Sequence, residues 1–271
     1  MNELHFVLRS AAVIAPGLPS LAEFRAVARG ECAYVHSPLV VPAASALPSQ
    51  ERRRASAAVR LVLACAQDAL QAGGVAAEDV ESVFATDEGT GEVCQQMLEA
   101  LATTRMVSPL VFTNSVVNAP SGYFSIAFGN HRSSTVVSLG LESFASGLLC
   151  AVTESSVRRR PVLLVSYDPA MTAPMDELLP AREAIANAWV IDCVPDSSRN
   201  ALATFALALA PREGQVGMAS VAGWMPQEWA HHSSARALAA LALIDTAHDT
   251  SLRFGLGGQS LTLRRTAKVA Q

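Results

Sequence analysis

Apolar, β-branched segments alternate with longer amphipathic segments along the chain, and this alternation constrains the fold more than any other feature. The clearest helix is predicted at 52–72, where apolar side chains recur at helical spacing before Gly73 and Gly74. Strands are predicted on either side of it, at 6–14 and 80–86. Strands that alternate with helices form crossover connections and lie parallel. We therefore expect an α/β protein with a mixed, mostly parallel sheet and helices on both faces.

The same pattern continues towards the end of the chain. A helix with Pro120 in its first turn is predicted to end near Gly129, after an extended piece at 110–117. The remaining predicted elements are helices at 91–103, 143–152 and 233–247, strands at 135–139, 162–166 and 201–210, and a glycine turn with a strand within 252–263.

Residues 168–200 interrupt this pattern. They contain four prolines and no clear period, so we predict a long excursion with one helical turn at 181–189. Residues 217–224 are expected to pair antiparallel with the strand at 201–210. No repeat or linker divides the sequence, and we expect a single domain over residues 1–271 in which residues 211–271 form a shortened carboxy-terminal remnant.

The composition excludes several classes of protein. Hydrophobic residues make up 51% of the chain and charged residues only 16%, which excludes disorder and predicts an oligomer that covers apolar surface. No apolar stretch is long enough to span a membrane, and the start resembles no secretion signal. A net charge of −4 argues against nucleic-acid binding. The five cysteines are widely spaced, so we expect a cytoplasmic protein with free thiols.

Short motifs that carry known chemistry are missing from the sequence. It contains no G-x-G-x-x-G after a strand, no G-x-x-x-x-G-K-[ST] and no G-x-S-x-G. We therefore expect no cofactor and no bound metal. His231 and His232 are adjacent at a predicted loop–helix junction, where we expect a solvated pair.

Residues 108–147 carry the most specific signal. They read S-P-L-V-F-T-N-S-V-V-N-A-P-S-G-Y-F-S-I-A-F-G, followed by T-V-V-S-L and S-F-A-S-G. This arrangement resembles the amino-terminal half of β-ketoacyl-acyl-carrier-protein synthases, which have the thiolase-type fold. The strand at 6–14, the basic lead-in at 52–54 and the strand at 162–166 occur in the order that the resemblance implies. The chain after Ala210 is too short for the family's second half, so the resemblance implies a truncated one.

The resemblance implies a nucleophilic cysteine at the first turn of the helix that begins near residue 143. A thiolate there is stabilised by the positive end of the helix. Counting back from Ser146 and Gly147 places Phe144 at that position, whereas counting forward from the preceding strand places Leu141 there. Neither residue has a thiol. Cys150 lies one turn further along, where we expect packing, and Ser143 is expected to cap the helix.

A ketosynthase-like chain without its nucleophile resembles a chain-length factor of type II polyketide or aryl polyene systems. The resemblance implies a heterodimer with a catalytic ketosynthase. An acyl carrier protein as a second partner stays open at this point. It also implies that Leu110, Val111 and Phe112 line or cap the partner's acyl tunnel, unless they are ordinary core residues. Phe144 either plugs the vacated nucleophile position or belongs to the core.

Two other functions remain open from the sequence. One is a diverged acyltransferase or hydrolase of thiolase type that uses Ser143 or Cys150 as its nucleophile. The other is a purely structural dimerisation subunit. The arginines at 158–160 either contact a carrier protein or lie at a helix carboxyl end in favourable contact with the helix dipole.

Overall fold

Eight helices and eight strands make up the part of the chain that the structure describes. The structure is a computed structural model that describes residues 3–87, 89–177, 182–194, 201–211 and 223–267. The helices are α1 (Leu21–Ala28), α2 (Ser49–Arg54), α3 (Ala57–Gly73), α4 (Gly91–Thr103), α5 (Pro109–Thr113), α6 (Ala119–Phe128), α7 (Ser143–Arg158) and α8 (Ser233–Leu241). The strands are β1 (Leu4–Ile14), β2 (Glu81–Ala85), β3 (Ser134–Val137), β4 (Val162–Asp168), β5 (Ile185–Asp192), β6 (Ala203–Pro211), β7 (Ser251–Leu256) and β8 (Gln259–Thr266).

All eight strands join one mixed sheet in the order β3-β2-β4-β5-β1-β6-β8-β7. The predicted α/β class with a mixed sheet and helices on both faces is confirmed. The balance of directions differs from the prediction, since only β2 pairs in parallel, with β3 and with β4. The other pairings between described strands are antiparallel. The crossover argument therefore holds for the β2–β4 region alone.

Strand β5 lies at the centre of the sheet, where the sequence predicted an excursion with a helical turn. It pairs antiparallel with β4 on one side and with β1 on the other. All eight of its residues are buried, from Ile185 to Asp192. A strand that is covered on both faces shows no alternation of polar and apolar residues. The prediction of a helical turn at 181–189 is therefore wrong.

Two hydrophobic cores lie on opposite faces of the sheet. One packs α3 and α6 against β1, β4 and β5, and the rings of Phe84 and Phe124 meet there edge to face at 5.8 Å. The other packs α1, α7 and α8 against the opposite face. Helix α7 approaches β2 most closely at Gly147, where an added Cβ would lie 2.7 Å from the Cβ of Ala85. The two faces thereby fix the amino-terminal end of α7.

Some predicted bounds change. The extended piece predicted at 110–117 contains helix α5, because Pro109 occupies its first turn and fixes a helical φ. Helix α8 ends at Leu241 and continues as a short 3₁₀ helix to Asp245. The predicted glycine turn joins β7 to β8, with Gly257 at φ +57°. The prediction for 217–224 falls mainly on residues 212–222, outside the described residues. None of the described helices is long and apolar enough to cross a membrane.

Candidate functional site

The turn between β3 and α7 determines where the expected nucleophile position lies in the structure. Gly140 takes φ +60°, which lets the chain reverse between β3 and α7. Ser143 begins the helix and is fully buried. Its Oγ accepts a hydrogen bond from Leu139 N at 2.8 Å and donates one to Gly140 O at 2.7 Å. Ser143 therefore holds the turn together, whereas the sequence predicted a helix cap.

Phe144 occupies the first turn of α7, and its side chain has no exposed surface. The ring packs 5.5 Å from the ring of Trp189 and 5.6 Å from that of Phe254. Its backbone N–H donates to Ser233 Oγ at 3.3 Å, at the start of α8. The first turn of α7 therefore offers an aromatic ring in place of a thiol. The amide at this position already has a hydrogen-bond acceptor.

His232 is buried beside α8, so the predicted solvated pair is wrong for this residue. Only 3% of its surface is exposed, whereas its neighbour His231 is exposed. The Nε2 atom lies 2.9 Å from Glu183 O, and Nδ1 lies 3.4 Å from Asp168 Oδ2. Every residue of the alanine-rich helix α8 is buried. The alanine-rich sequence of α8 indicates a buried helix, and from it the burial of His232 immediately before the helix could have been predicted.

The carboxylate of Asp168, at the end of β4, accepts hydrogen bonds from the loop after β2 and from the start of α8. Its Oδ1 accepts from Thr86 Oγ1 at 2.9 Å and from the backbone N–H of Asp87 at 2.6 Å. Its Oδ2 accepts from the backbone N–H of Ser234 at 3.1 Å and from Ser234 Oγ at 2.7 Å. Asp168 thereby links β4 to the loop after β2 and to the start of α8. Together with burial, its charge raises the pKa of Asp87.

The two alternative nucleophiles lack the activation that nucleophilic catalysis needs. Among the described residues, no histidine or carboxylate is hydrogen-bonded to Ser143 Oγ. Cys150 is half-buried, and its Sγ lies 3.7 Å from Glu154 Oε1. Burial raises the pKa of the Cys150 thiol, and the Glu154 carboxylate raises it further. A raised pKa disfavours the thiolate, which is the reactive form.

An apolar surface lies on the opposite side of the sheet from α7. We call it the α5–α6 face and define it by the exposed side chains of Leu110, Val116 and Ile126, which line the same hollow. The hollow has a volume of about 750 Å³ and is also lined by residues of α2 and by Tyr123 of α6. Phe112, on α5, is 60% exposed. The face thus presents apolar side chains beside an open depression.

The sequence-predicted tunnel residues separate in the structure. Leu110 is exposed on the α5–α6 face, and Phe112 is exposed elsewhere on α5. Val111 is half-buried and lines a smaller cavity of about 140 Å³ with Asn114. Phe144 belongs to the buried core on the other face of the sheet. The first three residues lie on α5 with different exposures, and Phe144 lies apart from them on the other face of the sheet.

Among the described strands, β3 forms one end of the sheet and pairs with β2 alone. Its four residues are exposed or half-buried. An edge strand with free backbone groups is a ready site for pairing with another chain.

The arginines at 158–160 lie at the end of α7 and form ion pairs with nearby carboxylates. Arg158 pairs with Glu81 at 3.2 Å, and Arg160 pairs at 2.6 Å with Asp79, a carboxylate that it shares with Arg132.

Comparison with known proteins places this architecture in a family. The family described as beta-ketoacyl synthase, N-terminal domain, matches residues 28–249. Among curated protein sequences, no significant match is found.

Solved structures of low sequence identity share the fold. A ketosynthase (ApeO) in complex with its chain length factor (ApeC) from Xenorhabdus doucetiae gives a TM-score of 0.71 at 22% identity, over 97% of this chain and 100% of that one. The AntDE:AntF complex, a type II PKS acyl-carrier protein with its ketosynthase, gives 0.71 at 12% identity, over 98% and 100%. The ishigamide ketosynthase/chain length factor gives 0.67 at 14% identity, over 97% and 100%. The chain belongs to the family of β-ketoacyl synthase N-terminal domains.

Proposed function

We propose that the chain is a non-catalytic, chain-length-factor-like subunit that pairs with a catalytic ketosynthase in polyketide or related acyl-chain biosynthesis. The observation that carries the proposal is the burial of Phe144 in the first turn of α7, with its amide hydrogen-bonded to Ser233 Oγ. Acyl transfer to a protein needs a nucleophile and hydrogen-bond donors for the oxyanion. This position offers neither, so the partner supplies the chemistry.

The α5–α6 face supports pairing with another subunit. Helix α6 carries no charged residue, packs on α3 and leaves the side chain of Ile126 54% exposed. Exposed apolar patches of this kind mark protein–protein interaction sites. The low fraction of charged residues agrees, because obligate interfaces are apolar. The ApeO–ApeC and ishigamide structures contain a ketosynthase and a chain length factor, which makes a ketosynthase the partner of choice.

Leu110, Val111 and Phe112 are the proposed contacts with the partner's acyl tunnel. Leu110 and Phe112 are exposed, and Val111 lines a small cavity together with Leu110. A side chain that narrows the tunnel excludes methylenes from it, and each buried methylene contributes about 0.8 kcal/mol. Phe144 is proposed only as the plug of the vacated nucleophile position. Acyl carrier protein is expected to reach the complex through the catalytic partner, since Arg158 and Arg160 are already paired.

The test is co-expression with a ketosynthase that carries the catalytic cysteine and with an acyl carrier protein. We expect a stable complex by size-exclusion chromatography and products whose length is read by mass spectrometry. Leu110→Trp should shorten the products without dissociating the complex. Val157→Trp, at a side chain that is 78% exposed on α7, is the matched control.

Each competing function predicts a different result. Unchanged product length with Leu110→Trp and Val111→Trp would leave a purely structural subunit. Thioester extension by the isolated chain, or labelling of Ser143 or Cys150 by a mechanism-based acylating probe, would favour the diverged acyltransferase or hydrolase. Absence of a complex with the ketosynthase would overturn the proposal altogether.

A further inference from the structure

A cavity lies between α3 and the segment of residues 37–46, which forms no helix or strand on its way from α1 to α2. We call it the 37–46 cavity. Its volume is about 470 Å³, within the range of about 300–1,000 Å³ that is usual for small-molecule sites. None of the described residues that line it also lines the hollow of the α5–α6 face. The cavity is therefore separate from the surface proposed for the partner subunit.

The segment that covers this cavity is fixed at its ends and restrained in its middle. Ser37 O accepts a hydrogen bond from the backbone N–H of Gly17 at 3.0 Å, and at the other end the side chain of Leu47 is buried. Among the described residues, none forms a hydrogen bond with residues 38–42. Two prolines restrict the backbone there, because proline fixes φ and has no N–H to satisfy. A ligand can therefore bind beneath the segment without breaking hydrogen bonds of its middle part.

The lining of the cavity is mostly apolar and carries one charge. Alanines, prolines and larger apolar residues such as Ile14, Leu39 and Leu63 make up most of it. Asp68, on α3, is the one charged residue among the described lining residues. The lining therefore combines an apolar interior with a single negative group.

The carboxylate of Asp68 has no hydrogen-bond or ion-pair partner in the part of the chain that the structure describes. Part of its surface is open to solvent at the edge of the cavity. Burial of the remainder raises the pKa of Asp68, and no neighbouring cation opposes this effect. Asp79 and Asp245 differ, because arginines pair with both and lower their pKa values. A partly desolvated carboxylate without a cation is stabilised by a positive charge that comes close to it.

We propose that the 37–46 cavity binds a small organic cation, with an apolar body beneath residues 37–46 and a protonated amino group that pairs with Asp68. The apolar body gains free energy by leaving water for the apolar lining. An anion of the same shape would meet the carboxylate of Asp68 without a cation in the lining to balance it. The proposal does not depend on the function proposed above, since the two rest on different surfaces.

Three compounds with the same rigid apolar body test the ligand class. They are 1-adamantanamine, which carries the amino group, its neutral counterpart 1-adamantanol, and the anion adamantane-1-carboxylate. Titration of the nitrogen-15-labelled protein, followed through the amide shifts, gives both the dissociation constant and the location of binding. We expect shifts at residues 37–46 and at the neighbouring part of α3. The amine should bind more tightly than the alcohol, and the carboxylate most weakly.

Three variants test the role of the lining. Asp68→Asn keeps the shape of the side chain and removes its charge, so it should weaken binding of the amine about fivefold and leave binding of the alcohol unchanged. Glu78→Gln is the matched control, because it removes one negative charge at an exposed residue outside the cavity and should change neither affinity. Ala64→Leu adds carbon atoms at a lining residue and should weaken binding of both compounds.

Several results would overturn the proposal. Amide shifts confined to other parts of the protein would show that the cavity is not the site. Equal binding of the amine and the carboxylate would show that charge does not select the ligand. An unchanged affinity for the amine in Asp68→Asn would remove Asp68 from the site, and this variant changes an exposed side chain that the fold does not need.

Discussion

Phe144→Ala tests whether the ring in the first turn of α7 is part of the packed core. The ring has no exposed surface and contacts the rings of Trp189 and Phe254 at 5.5 and 5.6 Å. Removing a buried phenylalanine ring typically costs about 3–5 kcal/mol, because transfer energy is lost and a cavity remains. We expect a loss near the middle of that range, about 4 kcal/mol, since aromatic contacts of this geometry add to the burial.

The free energy of unfolding, measured by urea denaturation, checks this expectation. Phe112→Ala is the matched control, because the same change at a ring that is 60% exposed should alter stability by less than about 1 kcal/mol. Equal effects at the two positions would refute the assignment of Phe144 to the core. Phe144→Cys adds a second check, since the thiol would be buried and the amide hydrogen-bonded to Ser233. The isolated variant should not extend a thioester, and extension by it would refute the closed-centre argument.

Three further predictions follow from single contacts. A Cβ added at Gly147 would lie 2.7 Å from the Cβ of Ala85, so Gly147→Val should destabilise the chain by about 1–3 kcal/mol. Urea denaturation measures this loss, and an unchanged midpoint would contradict the close approach of α7 to β2. Asp168→Asn, which weakens charge-assisted hydrogen bonds, should cost about 1.5–3 kcal/mol in the same assay, and a neutral result would contradict its linking role. The hydrogen bond from Arg25 lowers the pKa of Asp245, so stability from this pair is present above the ordinary aspartate pKa of about 4 and is lost as pH falls through the lowered value. Asp245→Asn should therefore lose less stability than the wild type on acidification in thermal melts, and parallel curves would refute the pairing.

The sequence predicts most elements from α3 to β4, because each of these has a distinct local pattern. Helix α3 shows apolar residues at helical spacing, and the paired glycines Gly73 and Gly74 mark its end. The turn before α7 was also predictable from its sequence. Aligning the residues around it already indicated that no thiol lies in the first turn of the helix. Counting from either side left Phe144 and Leu141 open. The structure puts Phe144 in the first turn, because α7 begins at Ser143.

Elements with contacts distant in sequence are the ones that the sequence did not predict. Strand β5 is buried on both faces and has no period to detect. Its antiparallel pairing with β1 joins residues about 180 positions apart, which no local pattern encodes. The burial of His232 has the same origin, since its environment is built by Asp168 and Glu183 from other elements. Side-chain burial of this kind depends on tertiary neighbours.

Hydroxyl groups at the start of α8 link this helix to α7 and to β4. Ser233 Oγ accepts the amide hydrogen of Phe144, and Ser234 Oγ donates to Asp168. Each hydroxyl thus links α8 to another element, and buried polar groups with partners are rigid and costly to rearrange. A catalytic centre needs the opposite property, with donors left open for the oxyanion. Under the proposed function, the phenylalanine in the first turn of α7 and the hydrogen bond that occupies its amide act in the same direction, because that position then offers neither a nucleophile nor an open donor. Restoring reactivity would then need more than one substitution.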